Sequence, residues 1–185
     1  MNLRTALAVL LLGAPLPAFA ATAWTTDPTA STLTFAASAD GEPFTGTFRT
    51  FEATIVFDPA DLAGSSFDVS IDLTSADSGN ADRDETLQTA EFFNTETQPQ
   101  ARFKAAEFIA SAPGKFTANG TLELNGVSKP VALMFTWTAD ATKATLAGET
   151  ILDRTQFNVG TGDWADDTTI THEVVVKTTL QLTAK

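Results

Sequence analysis

Cysteine is absent from the chain and histidine occurs once, at His172. Those two scarcities remove disulfides, a lipid-modified cysteine, and the usual zinc and haem ligand sets. Tyrosine is missing too, against 14 phenylalanines, so the buried aromatic surface carries no phenol hydroxyl in need of a partner. Basic residues are few: 11 Lys and Arg stand against 23 Asp and Glu, a formal net charge of −12. Such a surface repels nucleic-acid backbones and anionic lipid headgroups and favours solubility, so no nucleic-acid partner is expected. No glycine-rich phosphate loop, dinucleotide fingerprint, EF-hand or spaced glycosidase carboxylate pair is found. Asp163, Asp166 and Asp167 around Trp164 read as a solvated turn rather than a metal site.

The first residues carry a positive start at Arg4, an apolar run from Leu7 to Leu12, helix-breaking Pro15 and Pro17, and a small-residue site at Ala18-Phe19-Ala20. That order predicts a signal peptide over residues 1–20, cut after Ala20. The run falls short of the roughly 20 apolar residues that span a bilayer, so no integral membrane protein is expected. Residues 21–185 are then one exported domain. A domain of that size buries roughly 70% of its unfolded surface and folds without disulfide staples.

What fills the chain is alternation. Phe67, Val69, Ile71 and Leu73 share one face of residues 66–74, with Ser and Asp on the other. Val131, Leu133, Phe135 and Trp137 repeat the pattern, as do Val174, Val176, Leu180 and Leu182 within residues 170–183. Period-2 patterning of this kind marks strands with one dry face. Weaker strands are expected at 31–37, 46–57, 101–109, 115–124 and 144–152, giving a count of eight. Asp40-Gly41, Asp58-Pro59, Pro113-Gly114, Asn125-Gly126 and Gly160-Thr161-Gly162 punctuate them, and Asn125-Gly126 is the strongest hairpin signal. Residues 81–93 break the rhythm and read as a short helix ending before Pro99; residues 59–62 read as a second helical turn. Eight one-sided strands bury their dry faces and lose their edges by closing into an all-β, eight-stranded antiparallel barrel. A two-sheet sandwich is the second choice.

In a barrel the inward set is Leu33, Phe35, Phe48, Phe57, Phe67, Val69, Ile71, Phe103, Phe116, Leu122, Leu133, Phe135, Trp137, Val174 and Val176. An eight-stranded barrel is just wide enough to be filled by side chains or to hold one small apolar ligand. Patterning does not distinguish the two, and both stand at this point.

The motifs, in order, resemble one known group. They are Trp24 with Asp27-Pro28, residues 31–35, Gly46-Thr47-Phe48 with Phe51, and Ile55 through Leu62. Arg83-Asp84 with Leu87, Phe92-Phe93 with Pro99 and Phe103, Gly120 through Val131, and Asp153 through Gly160 complete the series. Across nearly the whole mature chain this is similar to the YceI-like family of periplasmic proteins. The resemblance implies a lipocalin-like barrel holding an extended isoprenoid lipid, such as a polyprenyl chain or quinone tail, in the periplasm. It also implies a membrane b-type cytochrome as a partner of some relatives. Two places depart from the family pattern: Thr171-His172-Glu173, where Gly-Asp is common, and Asn125-Gly126, where Arg-Gly is common.

Arg83, Asp84, Asp153, Arg154 and His172 form the polar candidates. The Arg-containing pairs have two readings, a brace for loops and strand ends or a guanidinium facing a ligand head group at the barrel rim; the brace is preferred. His172 reads as a rim residue satisfied by the backbone, because no Ser or Cys nucleophile is tied to it. No enzyme and no cofactor are expected, only an apolar lipid ligand. The alternative is a filled barrel acting as an interaction module, with residues 160–168 and 81–93 as its contact surfaces.

Overall fold

The computed structural model describes residues 21–185; the signal peptide and cleavage site expected in residues 1–20 lie outside the described residues. Eleven strands make one antiparallel sheet: β1 (Ala23–Thr26), β2 (Thr32–Ala39), β3 (Glu42–Phe48), β4 (Phe51–Val56), β5 (Ser66–Asp72), β6 (Ala76–Asp77), β7 (Gln100–Ala112), β8 (Lys115–Leu124), β9 (Val127–Ala139), β10 (Lys143–Asp153) and β11 (Glu173–Ala184). Six of them are halves of kinked pairs. β1 and β2 are parted by a turn in which Asp27 accepts the N–H groups of Thr29 and Ala30. β3 and β4 are parted by Arg49-Thr50, and β5 and β6 by a 3₁₀ turn, Leu73–Ser75, capped by Asp72. Each pair keeps its neighbours: β1 bonds β4 while β2 bonds β3, and β4 bonds β5 while β3 bonds β6.

Counted as continuous staves, the strands number eight, and each lies beside its neighbour in sequence. The last closes the ring. β11 bonds β10 along one edge, and along the other it bonds β2 at Val175–Thr179 and then β1 at Leu182–Ala184. The fold is a closed antiparallel barrel, as the patterning predicts, and not the two-layer alternative.

Local chemistry explains the connections. Asn125 and Gly126 take φ of 49° and 73°, the left-handed pair that a two-residue hairpin needs to match strand twist. Helix α1 (Ala81–Gln88) is shorter than the expected 81–93. Asn80 caps its start by accepting the N–H of Arg83, and after Gln88 the chain turns, reaching φ 53° at Asn94. Residues 59–62 are not helical. Asp58 accepts the N–H of Ala60, and the Asp61 N–H returns to the Asp58 carbonyl, so one tight turn replaces the expected helical one.

Inward side chains differ in bulk along the barrel axis. At the end that carries the β4–β5, β7–β8 and β9–β10 connections, Phe57 is fully buried, with ring centroids 5.9 Å from Phe67, 5.6 Å from Phe108, 5.1 Å from Phe116, 5.2 Å from Phe135 and 4.8 Å from Trp137. Trp24 donates its indole N–H to the Phe57 carbonyl at 3.0 Å and meets Trp137 edge to face at 5.3 Å. This aromatic cluster fills the barrel and plugs that end. Phe57→Ala should therefore cost roughly 3–5 kcal/mol of unfolding free energy, read by urea titration.

Candidate ligand chamber

Above the plug the interior is hollow, with a cavity of about 360 Å³. Of the expected inward set, Leu33, Phe35, Phe48, Phe67, Val69, Ile71, Phe103, Leu122, Leu133, Val174 and Val176 line it. Phe57, Phe116, Phe135 and Trp137 do not. They belong to the plug, because alternation assigns a side chain to the inside without fixing its height along the axis. Leu73, the last residue of the alternating face of residues 66–74, lines it from the 3₁₀ turn; other lining residues come from segments without alternation: Leu87 in α1, Phe92 and Phe93 after it, and Phe157 and Trp164 between β10 and β11. Phe51 and Ile55 also line it. Their signal lay in the sequence, since the odd step from Phe48 to Phe51 marks the β3–β4 kink, where the dry face changes phase.

Two loops cover the chamber end and are tied together. The carbonyl of Glu91 accepts the N–H groups of Gly160 at 2.7 Å and Thr161 at 2.9 Å, while the Glu91 carboxylate accepts the Trp164 indole N–H at 2.9 Å. Phe92 and Trp164 pack edge to face at 5.5 Å. Asn125 donates from its amide to the carbonyls of Phe92 and Asn158, both at 3.1 Å.

Arg154 holds the second loop from within. It is 4% exposed and donates to the carbonyls of Thr171 (3.1 Å), Val159 (2.9 Å), Gly160 (2.9 Å), Trp164 (2.7 Å), Ile170 (2.8 Å) and, more loosely, Asp166 (3.4 Å). Burial pushes its pKa down, and the charges of Asp167 and Asp153 partly offset that; a guanidinium stays protonated regardless. Gly160, at φ 74°, gives it room: a Cβ there would lie 2.2 Å from the Arg154 Nη1. Asp153 starts the same turn by accepting the Thr155 hydroxyl at 2.6 Å and N–H at 3.0 Å. Those bonds, the hydroxyl first, hold its carboxyl below the usual range. Asp166 is held low by the N–H of Thr168, 2.7 Å away.

The other polar candidates divide. Asp84 accepts the N–H and hydroxyl of Ser78 at 2.8 and 2.6 Å, a brace for α1. Arg83 donates to the Ser78 hydroxyl and carbonyl at 2.8 and 3.1 Å and lies 4.1 Å over the Phe44 ring, yet it also lines the chamber. His172 places Nε2 2.8 Å from the Ala165 carbonyl and gives its backbone N–H to Asp167 at 2.6 Å. Among the described residues no three His, Asp or Glu side chains gather to hold a metal, and no helix is long and apolar enough to cross a membrane.

A closed antiparallel barrel, plugged at one end and hollow under tied loops at the other, defines a lipocalin-type barrel. The chain belongs to the YceI family: the model of the YceI-like domain matches residues 24–182. Protein YceI of Escherichia coli O157:H7 is 40% identical over 88 residues, 48% of this chain and 46% of that protein. This chain thus spans about half the length of the curated relatives it matches. Among solved structures, BcnA of Burkholderia cenocepacia superposes with a TM-score of 0.81 at 29% identity, covering 84% of this chain and 98% of that one. A polyisoprenoid binding domain from Saccharophagus degradans gives 0.71 at 20% identity over 89% and 99%, a likeness of fold.

Lysine has three donors on a point charge and cannot reproduce the guanidinium fork. Arg154→Lys should lower stability by about 2–4 kcal/mol, from carbonyls left without donors, and should raise amide hydrogen exchange across residues 159–172. The depressed carboxyls of Asp153 and Asp166 set a pH dependence. Their contribution is present above the unfolded value of about 3.9 and is lost as pH falls through the lower folded values. Proteolytic protection of residues 153–172 should accordingly hold from pH 7 to about pH 4 and decline progressively below it, with a weaker dependence in Asp153→Asn.

Proposed function

We propose that the protein is an exported, periplasmic carrier of an extended apolar lipid of the isoprenoid class, acting by binding rather than catalysis. The chamber carries this reading: its wall is almost wholly hydrocarbon, and its volume of about 360 Å³ falls in the range of about 300–1,000 Å³ usual for small-molecule sites. A hydrocarbon tail entering it from water gains about 0.8 kcal/mol per buried methylene. Aromatic and branched aliphatic walls suit a methyl-branched chain. Arg83, at the loop-covered end, supplies a cation beside the position of a polar head group. The Saccharophagus degradans domain, named for polyisoprenoid binding, shares the barrel, which supports the ligand class.

Protein purified from its native host and extracted with organic solvent should yield a stoichiometric isoprenoid lipid by mass spectrometry. Val176→Trp, which fills the chamber from the β11 wall, should keep the fold by circular dichroism and lose lipid uptake. A lipid-free preparation that also ignores added polyprenyl alcohol and quinone would overturn the proposal.

A further inference from the structure

The barrel wall is not laddered all the way round. β9 bonds β10 only from Ala139 and Ala144 to Met134 and Glu149. Both strands run on beyond that point: β9 stays paired with β8 down to Val127, and β10 with β11 up to Asp153. Residues 127–133 and 150–153 thus lie beside each other without a backbone ladder between them. Facing edges without a ladder undo the advantage of closure, so the split needs a reason. Pro130 stands inside it, and strand prolines are tolerated at such edges because no N–H is required there.

A groove of about 370 Å³ follows this split on the outer surface. Val131, Thr150, Leu152 and Phe157 line both the groove and the chamber. Their side chains are therefore the partition between inside and outside. Phe157 is 3% exposed and belongs to a single 3₁₀ turn, Arg154–Phe157, rather than to a strand. The outer lip mixes Lys129, Asp153 and Gln156 with apolar side chains. Met134 and Ile151 are 58% and 55% exposed, the largest exposures of any bulky hydrophobic residues among those described, and both border the groove. Side chains of that kind beside an opening to a hollow interior give a hydrocarbon chain an apolar surface to follow.

We propose that the β9–β10 split is a lateral portal: the hydrocarbon chain of the ligand passes between chamber and exterior through it, with Phe157 as the movable stopper. This rests on the lipid-carrier reading and adds the route. The tail threads sideways first and the polar end, held by Arg83 until then, follows it through the same gap, so the tied loops need not open.

The absence of native cysteine permits a clean test. Ala132→Cys puts a single thiol in the groove, on the exposed side of β9. It would be modified with a bulky maleimide, and Glu52→Cys on the outside of β4 treated likewise as a control. Stopped-flow transfer of a fluorescent geranylgeranyl probe between protein and phosphatidylcholine vesicles gives the exchange rate, and equilibrium titration gives the occupancy. Modified Ala132→Cys should slow loading and release by at least about tenfold, equivalent to ~1.4 kcal/mol on the barrier, with equilibrium occupancy unchanged. Modified Glu52→Cys should leave the rates alone, and Phe157→Leu should raise them. Unchanged rates in both modified Ala132→Cys and Phe157→Leu overturn the portal, as does slowing by a label at Thr161→Cys on the loops but not at Ala132→Cys. Failure of the unmodified protein to take up the probe at equilibrium overturns the carrier reading itself, and the portal with it.

Discussion

Closure through β11 is the constraint on which the interior depends. That strand carries a ladder on each edge, to β10 on one side and to β2 and then β1 on the other. Only because it reaches both halves of the kinked first stave do the dry faces of all staves converge on one axis. Eight strands then set a diameter that side chains can just fill, so what occupies the axis depends on side-chain volume at each height. Where Phe57 meets Phe67, Phe108, Phe116, Phe135 and Trp137 the rings fill it. Where Val69, Val174, Val176 and Ala101 take the same inward positions, a hollow is left. The plug is all aromatic, whereas the chamber wall mixes phenylalanines with Val, Leu, Ile and Ala, and those smaller residues leave the space.

Much of this could be read from the chain. The barrel, its hairpin at Asn125-Gly126 and the inward register of residues 66–73 and 174–182 follow from period-2 spacing and turn chemistry alone. What escaped had physical causes. β1 and β6 hold four and two residues, too few for a period to show. The kinks at Arg49-Thr50 and Leu73–Ser75 register only as a slip of phase. Phe92, Phe93, Phe157 and Trp164 reach the chamber from irregular backbone, where no periodicity exists to be read. Height along the axis is likewise invisible, which is why alternation alone groups Phe116 and Phe135 with Val174 and Val176.

Arg154 shows a different limit. Its residue type in the run from Asp153 to Gly160 fits a head-group contact as well as a brace, since both need a guanidinium near a loop. The decision lies in carbonyls that a loop delivers only after folding: five within 3.1 Å, drawn from residues as far along as Thr171. One local trace exists in Gly160, whose missing Cβ is the space the guanidinium occupies. Arg154 borders the chamber too but is committed to backbone carbonyls, which leaves Arg83, bonded to Ser78 and stacked on Phe44, as the less committed of the two chamber cations.

For the proposed lipid carrier, the energetics of transfer give the split wall its meaning. A tail leaving water for the chamber is strongly favoured, but a tail leaving a bilayer is already in hydrocarbon, so the transfer gain nearly cancels and packing decides the balance. Under that condition equilibrium affinity is modest by construction, and what the protein can control is the barrier. Lifting the tied loops breaks the Glu91, Asn125 and Trp164 hydrogen bonds together. Moving one aromatic side chain from a wall with no ladder to break costs rotamer freedom and local packing only. A barrel meant solely to fold would be expected to extend the β9–β10 ladder to its end; the proposed exchange of an apolar chain accounts for a stretch of wall in which side chains, not backbone, make the seal.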